Sequence, residues 1–271
     1  MPAMRLDQAI AARFPLISRR KARELLAQNR VLVNERPVAT ASRQVQEHDR
    51  VAIVDQVAVL PIIRRTEDWI AIDKPSGLSS QPARDRERLS AEELLRLTLK
   101  REGGSSQLFV VHRLDTATSG ILLFARNQAA ARRLSELFAS REIRKTYLAI
   151  VDGVIEADVT VDRPIARRSE ETFSVSPAGK PAETSIRPRV SSATATLVEI
   201  EIRSGRTHQI RVHLASLGHP VRGDRKYGST SSAPRLMLHA WRLVLPGIEE
   251  LVSPPPDDFR TAGAALGLTL A

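Results

Sequence analysis

The chain has 271 residues, 42% hydrophobic and 27% charged, the balance of a folded protein with one large domain or two smaller ones. It has no cysteine, which excludes disulfides, thiolate catalysis and cysteine-held zinc or iron–sulfur clusters. A net charge of +10 points to a polyanionic partner, most simply a nucleic acid, and aromatics at 4% argue against a broad base-stacking platform.

From the amino-terminal end, Met1 to Ile10 contains Arg5 and Asp7 and no signal-peptide apolar core, and no later run is long enough to span a bilayer, so a cytoplasmic, membrane-free protein is expected. Arg5 to Phe14 reads as a short helix with Leu6, Ala9 and Ile10 inward. Ser18 is a candidate N-cap for a second helix, Arg19 to Gln28, which turns Ala22, Leu25 and Leu26 to one face and ends at Asn29 as a left-handed C-cap. Arg19, Arg20, Lys21 and Arg23 crowd its first turns, the end where the helix dipole disfavours cations. Bound phosphate would offset that cost; a solvated basic face is the plainer alternative. Strands at Val31–Val33 and Val51–Val54 flank a turn at Asn34–Pro37.

Beyond Pro61, Trp69–Ile72 reads as a buried strand ending in the turn Asp73-Lys74-Pro75-Ser76-Gly77-Leu78. Lys74 either meets a phosphate or supports the loop. Ser90 and Glu93 form a capping-box pattern for a helix to about Lys100, and Gly103–Ser106 is a loop. His112-Arg113-Leu114-Asp115-Thr116-Ala117-Thr118 is a polar loop feeding the apolar run Ser119–Ala125. A loop carboxylate carried on a rigid strand suits chemistry, and a turn-capping Asp paired with Arg113 is the plain alternative. Asn127 caps a helix with Ala130, Leu134, Leu137 and Phe138 on one face.

Arg141–Val151 begins basic and becomes a strand, with Tyr147 at the change, either a core residue or a catalytic base or orienter near Asp115. Residues 152–190 carry little signal beyond a hairpin turn at Gly179–Thr184. Val198, Ile200 and Ile202 alternate, as in an antiparallel strand. In Arg203–Ala215, a helix from about His208 stopped by Gly218 is preferred to a strand, and Arg206 and Arg211 become candidates for phosphate or carboxylate contacts. His208 and His213 lack the spacing of a zinc pair, so no metal is expected. Gly223–Gly228 is a basic loop, Leu236–Leu243 a last core strand, and the tail after Arg260 a short helix. Strand runs with few helices between them predict an α+β fold, with mixed, mainly antiparallel sheets flanked by helices.

Residues 4–54 resemble the small alpha-L RNA-binding domain found in a small-subunit ribosomal protein and in tyrosyl-tRNA synthetases. The resemblance is carried by Arg5-Leu6-Asp7, Ser18 through Leu25, and Val31-Leu32-Val33-Asn34. It implies that the basic helix grips RNA backbone. The rest resembles the RluA family of RNA pseudouridine synthases. Here the matching strings are Asp73–Leu78, His112-Arg113-Leu114-Asp115 with Thr118-Ser119-Gly120, Arg144-Lys145-Thr146-Tyr147, Gly205–His213, Gly218-His219-Pro220 with Gly223-Asp224, and Arg235–Ala240. Each string is weak alone; their order and spacing together are specific. The expected division is an RNA-binding domain at 1–58 and a synthase domain at 59–271.

That resemblance implies an α+β synthase fold and the isomerisation of uridine to pseudouridine without metal or cofactor. Asp115 becomes the catalytic aspartate. Tyr147 is the tyrosine that packs on the target base and is proposed as a base. Arg211 pairs with the catalytic carboxylate, and Arg113 fills the gap left by a flipped nucleotide. Arg19, Arg20, Lys21, Arg23, Lys74 and Arg206 are expected to contact RNA. Large-subunit ribosomal RNA is the first expectation and transfer RNA the second, with a monomeric enzyme. Two rivals are a non-catalytic RNA-binding or ribosome-assembly protein, and a hydrolase using paired acids, for which no second acid stands out.

Overall fold

The computed structural model describes residues 3–27, 30–34, 36–53, 60–82, 90–248 and 250–269. Asn29, Val54 and the expected 58/59 boundary lie outside them. The chain divides into two compact units, 1–60 with 79–108, and 61–78 with 109–271.

In the first unit, β1 (Met4–Arg5) leads into α1 (Leu6–Arg13), and α2 (Arg19–Ala27) follows. The Ser18 hydroxyl accepts from Lys21 N at 3.2 Å, the expected N-cap. Leu6, Ala9, Ile10, Ala22, Leu25 and Leu26 bury together with Val31 and Val33. β2 (Val31–Val33) pairs antiparallel with both β3 (Arg36–Pro37) and β5 (Val51–Ile53), and β4 (Gln44–Val45) pairs with β1. Asn34 takes a positive φ of 50° at the turn into β3. The unit's second segment carries α3 (Ala91–Arg101), opened by the full capping box of Ser90 and Glu93.

The cationic start of α2 is compensated from within the protein. Asp7 on α1 is fully buried, and Arg23 Nε (3.0 Å), Arg5 Nε (3.1 Å) and Arg19 Nη2 (3.4 Å) surround its carboxylate. Arg5 chiefly, against the effect of burial and with help from Arg23 and Arg19, holds the Asp7 pKa at about 2. A folded pKa below the ordinary 3.8 contributes stability above that value and loses it as pH falls toward 2. Asp7→Asn is therefore expected to destabilise α1 and α2 by about 1–2 kcal/mol at pH 7, the arginines being half exposed and screened. Near pH 2 the difference should vanish; amide exchange of the two helices across this range checks it.

The second unit is built on one mixed sheet, ten-stranded among the described residues. Its strands in chain order are β6 (Ile62–Arg65), β7 (Trp69–Lys74), β8 (Phe109–Val110), β9 (Ser119–Ala125), β10 (Arg144–Asp152), β11 (Val159–Asp162), β14 (Glu183–Ser191), β15 (Ala195–Ile202), β16 (Leu238–Val244) and β17 (Leu251–Val252). The order across it is β11-β14-β15-β10-β16-β9-β7-β6, with β17 on β16 and β8 on β9. Every pairing is antiparallel except β16 with β9. A separate hairpin joins β12 (Ile165–Arg167) to β13 (Phe173–Val175). The helices are α4 (Gln128–Ala139), α5 (Gln209–Ser216) and α6 (Asp257–Ala264). This is the expected α+β architecture.

β9 is buried at every position, as its unbroken apolar run implies. Ile121, Leu123 and Ala125 bury with Trp69, Ala71 and, from α4, Ala130 and Leu134, while Leu122 and Phe124 are buried on the opposite face. Gly120, at φ 111°, lies against β16: a Cβ there would sit 2.2 Å from Ala240 O. Only glycine lets the strand that carries the Asp115 loop join β16.

Four features differ from the sequence reading. β7 runs on to Lys74, two residues into the expected turn. The signal-poor stretch holds β11 to β14; Pro188 sits in β14 beside a register shift and beyond the reach of β11, where no ladder donor is needed. The 223–228 loop contains a 3-10 turn, Arg225–Tyr227. The last helix starts at Asp257, ahead of Arg260, with two aspartates in its first turn where the dipole favours them.

Candidate active site

The loop before β9 is fastened by the turn that follows β7. Lys74 is fully buried, and its ammonium donates to Leu78 O (2.8 Å), Pro75 O (3.0 Å) and Thr116 O (3.3 Å). Gly77 N donates to the same Thr116 carbonyl (2.8 Å), and Ser76 Oγ donates to Ala117 O (2.7 Å). Burial brings the Lys74 pKa down to about 7. Of its two readings the structure takes loop support, and the expectation that Lys74 contacts RNA is corrected: an ammonium enclosed by three carbonyls has no open face for a phosphate. His112 fixes the other side of the loop. Its Nε2 accepts from Leu123 N at 2.9 Å, and its ring stacks on Phe138 at 4.7 Å. Burial lowers its pKa to about 3, consistent with an acceptor nitrogen. Within the loop, Thr118 N closes a turn onto Asp115 O (3.0 Å).

Asp115 emerges from this frame with a quarter of its side chain exposed. Arg211, 96 residues away on α5, donates Nη1 to Asp115 Oδ2 at 3.1 Å. Its Nε and Nη2 hold Asp224 Oδ2 and Oδ1 at 2.7 and 2.9 Å, a bidentate pair almost closed to solvent. Burial works against the charge of Arg211, but Asp224 and then Asp115 outweigh it and raise its pKa. The guanidinium also lies 5.0 Å from the Tyr227 ring centroid. A permanently charged fork held by one carboxylate is thus aimed at the other.

α5 is buried on its polar positions as well as its apolar ones. Gln209 accepts from Ser204 Oγ (2.8 Å) and Arg206 N (3.1 Å), and donates to Glu183 O (2.8 Å) and Thr184 Oγ1 (3.0 Å). His213 Nε2 faces Arg163 O (2.9 Å), which only accepts, so Nε2 carries the proton and Nδ1 accepts from Thr184 Oγ1 (2.8 Å). These bonds satisfy the buried polar side chains of α5, which has no side-chain cap.

Tyr147 on β10 is 8% exposed; burial pushes its phenol pKa up, and the nearby Asp115 carboxylate adds to it. The structure thus brings Asp115, Tyr147 and Arg211 together. Arg113 is exposed and makes no hydrogen bond or ion pair among the described residues. Arg206 is half-buried and donates Nε to Pro181 O at 3.1 Å, a carbonyl rather than a carboxylate. In the first unit, among the described residues, Arg20 and Lys21 pair only with Glu24, while Arg19 and Arg23 share Asp7. Among the described residues no three His, Asp or Glu side chains group as a metal site, and none of their helices is long and apolar enough to cross a membrane.

Sequence reasoning passed over Asp224, Tyr227 and His208. Asp224 was visible as the lone acid in Arg222-Gly223-Asp224-Arg225-Lys226, and it is the second carboxylate a hydrolase would need. Both its oxygens are taken by Arg211, so it is no free acid or base.

Comparison with known proteins agrees with this geometry. The RNA pseudouridylate synthase family matches residues 68–216, and the S4 domain matches residues 4–51. An uncharacterised RNA pseudouridine synthase of Aquifex aeolicus is 36% identical across 86% of this chain and 80% of its own length. Ribosomal large subunit pseudouridine synthase D of Nitrosomonas europaea is 34% identical across 96% of this chain and 83% of its own. The solved structure of human RNA pseudouridylate synthase domain containing 4 superposes with a TM-score of 0.67 at 27% identity, covering 78% of this chain and 94% of that one.

Proposed function

Since this chain belongs to the RluA family of RNA pseudouridine synthases, isomerases that convert uridine to pseudouridine in RNA, we propose that it acts on large-subunit ribosomal RNA with Asp115 as the reacting carboxylate. The observation that carries the site assignment is the Arg211 fork, locked on buried Asp224 and aimed at partly exposed Asp115. The substrate class rests on the likeness to the large-subunit synthase of Nitrosomonas europaea. A cytoplasmic setting follows from that substrate.

The reaction breaks the bond from uracil N1 to the sugar, turns the base and joins its C5 to the same sugar carbon. C5 loses a proton and N1 gains one, with no net electron transfer. Arg211 keeps a full charge beside Asp115 and donates to its Oδ2, so the carboxylate is oriented for attack on the sugar or for proton removal from it. The target base leaves its stack at a cost of a few kcal/mol, and exposed, unpaired Arg113 is suited to fill the vacancy. The Tyr147 phenol, pushed up by burial, stays protonated at neutral pH, which supports packing against the base over service as a base.

RNA is the partner of the amino-terminal S4 domain, and we assign the two domains to 1–58 and 59–271 from the positions of the two family matches. Arg20 and Lys21, exposed and paired with Glu24, are the α2 cations best placed for phosphate. Asp115, Tyr147 and Arg211 come from one chain, which supports a monomeric enzyme. Pseudouridine mapping of ribosomal and transfer RNA from cells with and without the gene tests the assignment. Large-subunit sites lost without the chain and restored by it support the proposal; sites lost only from transfer RNA move the substrate there.

A further inference from the structure

His208 lies between Tyr227 and Asp115 and has no role in the account so far. It precedes α5 in a left-handed conformation, φ 56° and ψ 21°, that non-glycine residues rarely take. Capping does not explain this backbone, because the His208 side chain makes no cap hydrogen bond to α5. The conformation instead sends the ring back toward Asp115. Nδ1 lies 2.7 Å from Tyr227 Oη, and Nε2 lies 3.9 Å from Asp115 Oδ2. The rings of Phe173 and Tyr227 meet it edge-on, each at 5.6 Å.

The hydrogen bonds settle which nitrogen carries the proton. Tyr227 Oη already accepts from Phe173 N at 3.0 Å, and among the described residues the acceptor for its own proton is His208 Nδ1. Nε2 is therefore the N–H, and it faces Asp115. Burial lowers the His208 pKa; Asp115 and Asp224 oppose this, while Arg211 and Lys226 reinforce it. A neutral imidazole supplies a donor without a second positive charge, so it orients the carboxylate without quenching it. Both donors, Arg211 Nη1 and His208 Nε2, approach the same oxygen, Oδ2. Oδ1 has no hydrogen bond among the described residues. At 3.9 Å the histidine contact is longer than a hydrogen bond, the kind of gap that tightens when substrate closes a site.

We propose that His208 is a positioning residue for the isomerisation: oriented by Tyr227, it presents an N–H to Asp115 Oδ2 and, with Arg211, leaves Oδ1 for the substrate. This rests on Asp115 being the reacting carboxylate.

The test uses the full chain and an unmodified large-subunit ribosomal RNA transcript, with single-turnover rate, RNA Kd and Tm read for each variant. His208→Gly relieves the left-handed backbone but gives up the Tyr227 hydrogen bond and two ring contacts, so a modest fall in Tm is expected, and the rate is read well below that Tm. Its rate should fall about 10- to 100-fold with Kd unchanged, the effect of a misplaced reacting group. His208→Gln, which keeps an N–H donor, should recover part of the rate. Tyr227→Phe should slow the reaction less, and the double variant should be no slower than His208→Gly alone, because Tyr227 acts through His208. A wild-type rate in His208→Gly, a defect confined to Kd, or additivity with Tyr227→Phe would overturn the proposal. Asp115→Asn run alongside separates the premises. If it is inactive while His208→Gly is fully active, only the histidine role falls; if it remains active, the Asp115 assignment falls and takes the proposal with it.

Discussion

Asp115→Asn is expected to lower the isomerisation rate by at least roughly 10,000-fold while leaving RNA affinity close to that of the wild type. The substitution keeps the size of the side chain and an oxygen that can still accept from Arg211 Nη1. Arg211 remains held by both oxygens of Asp224, and the loop remains fastened through Lys74, Gly77 and Ser76. What disappears is the negative charge and the nucleophilic or basic oxygen. RNA binding depends on a chain of net charge +10 and on cations elsewhere in the sequence, so one carboxylate in a cleft changes it little. Single-turnover conversion of a defined transcript, with Kd measured on the same preparation, reads both quantities. Normal turnover would move the chemistry to another group; lost binding with intact fold would make Asp115 an RNA contact.

The parts of this molecule written in local signals were legible in its sequence. Ser18, Ser90 and Asn127 each cap the helix they precede, since a cap depends on neighbours three residues away. The apolar run of β9 reads directly as a buried strand, and the structure buries it on both faces. Partnerships across the chain were not legible. Nothing near Arg19 or Arg23 announces that Asp7, 12 to 16 residues earlier on another helix, is their counter-ion. Phosphate and a solvated basic face are therefore the readings that local sequence supplies, and the structure adds a counter-ion from another helix. Lys74 had two readings because a lysine beside Pro and Gly looks the same whether its ammonium meets solvent or three carbonyls. Asp115, Tyr147 and Arg211 acquired roles through family resemblance; their residue types alone left the structural alternatives open. Asp224 and Tyr227 lie in a stretch whose evident property is positive charge, and nothing beside them in the sequence assigns either a role. Their roles depend on α5 bringing Arg211 to them, and a buried helix carrying Gln209, Arg211 and His213 contradicts the usual link between polarity and exposure.

Arg211→Met is expected to be inactive and also less stable, by about 3–5 kcal/mol, because it leaves the Asp224 carboxylate buried without its partner. For a protein of this size that corresponds to a fall in Tm of roughly 10 °C. Lost activity in such a variant is ambiguous by itself, since a loosened fold also slows an enzyme. The pair of carboxylates resolves this. In Arg211→Met/Asp224→Leu the stranded charge is removed and apolar groups fill the space, so most of the lost stability should return. Activity should not return, because Asp115 still lacks the fork that held its Oδ2. Arg211→Lys gives the complementary answer: it keeps a cation but cannot span two carboxylates at once, so its rate should fall about 100-fold with a smaller loss of stability. Thermal melts and single-turnover rates on the three variants make the comparison. Stability and activity returning together in the double variant would mean that Arg211 serves only the fold. Stability returning alone would show that the fork acts on Asp115 itself, and that the buried half of the cluster exists to aim the half that meets RNA.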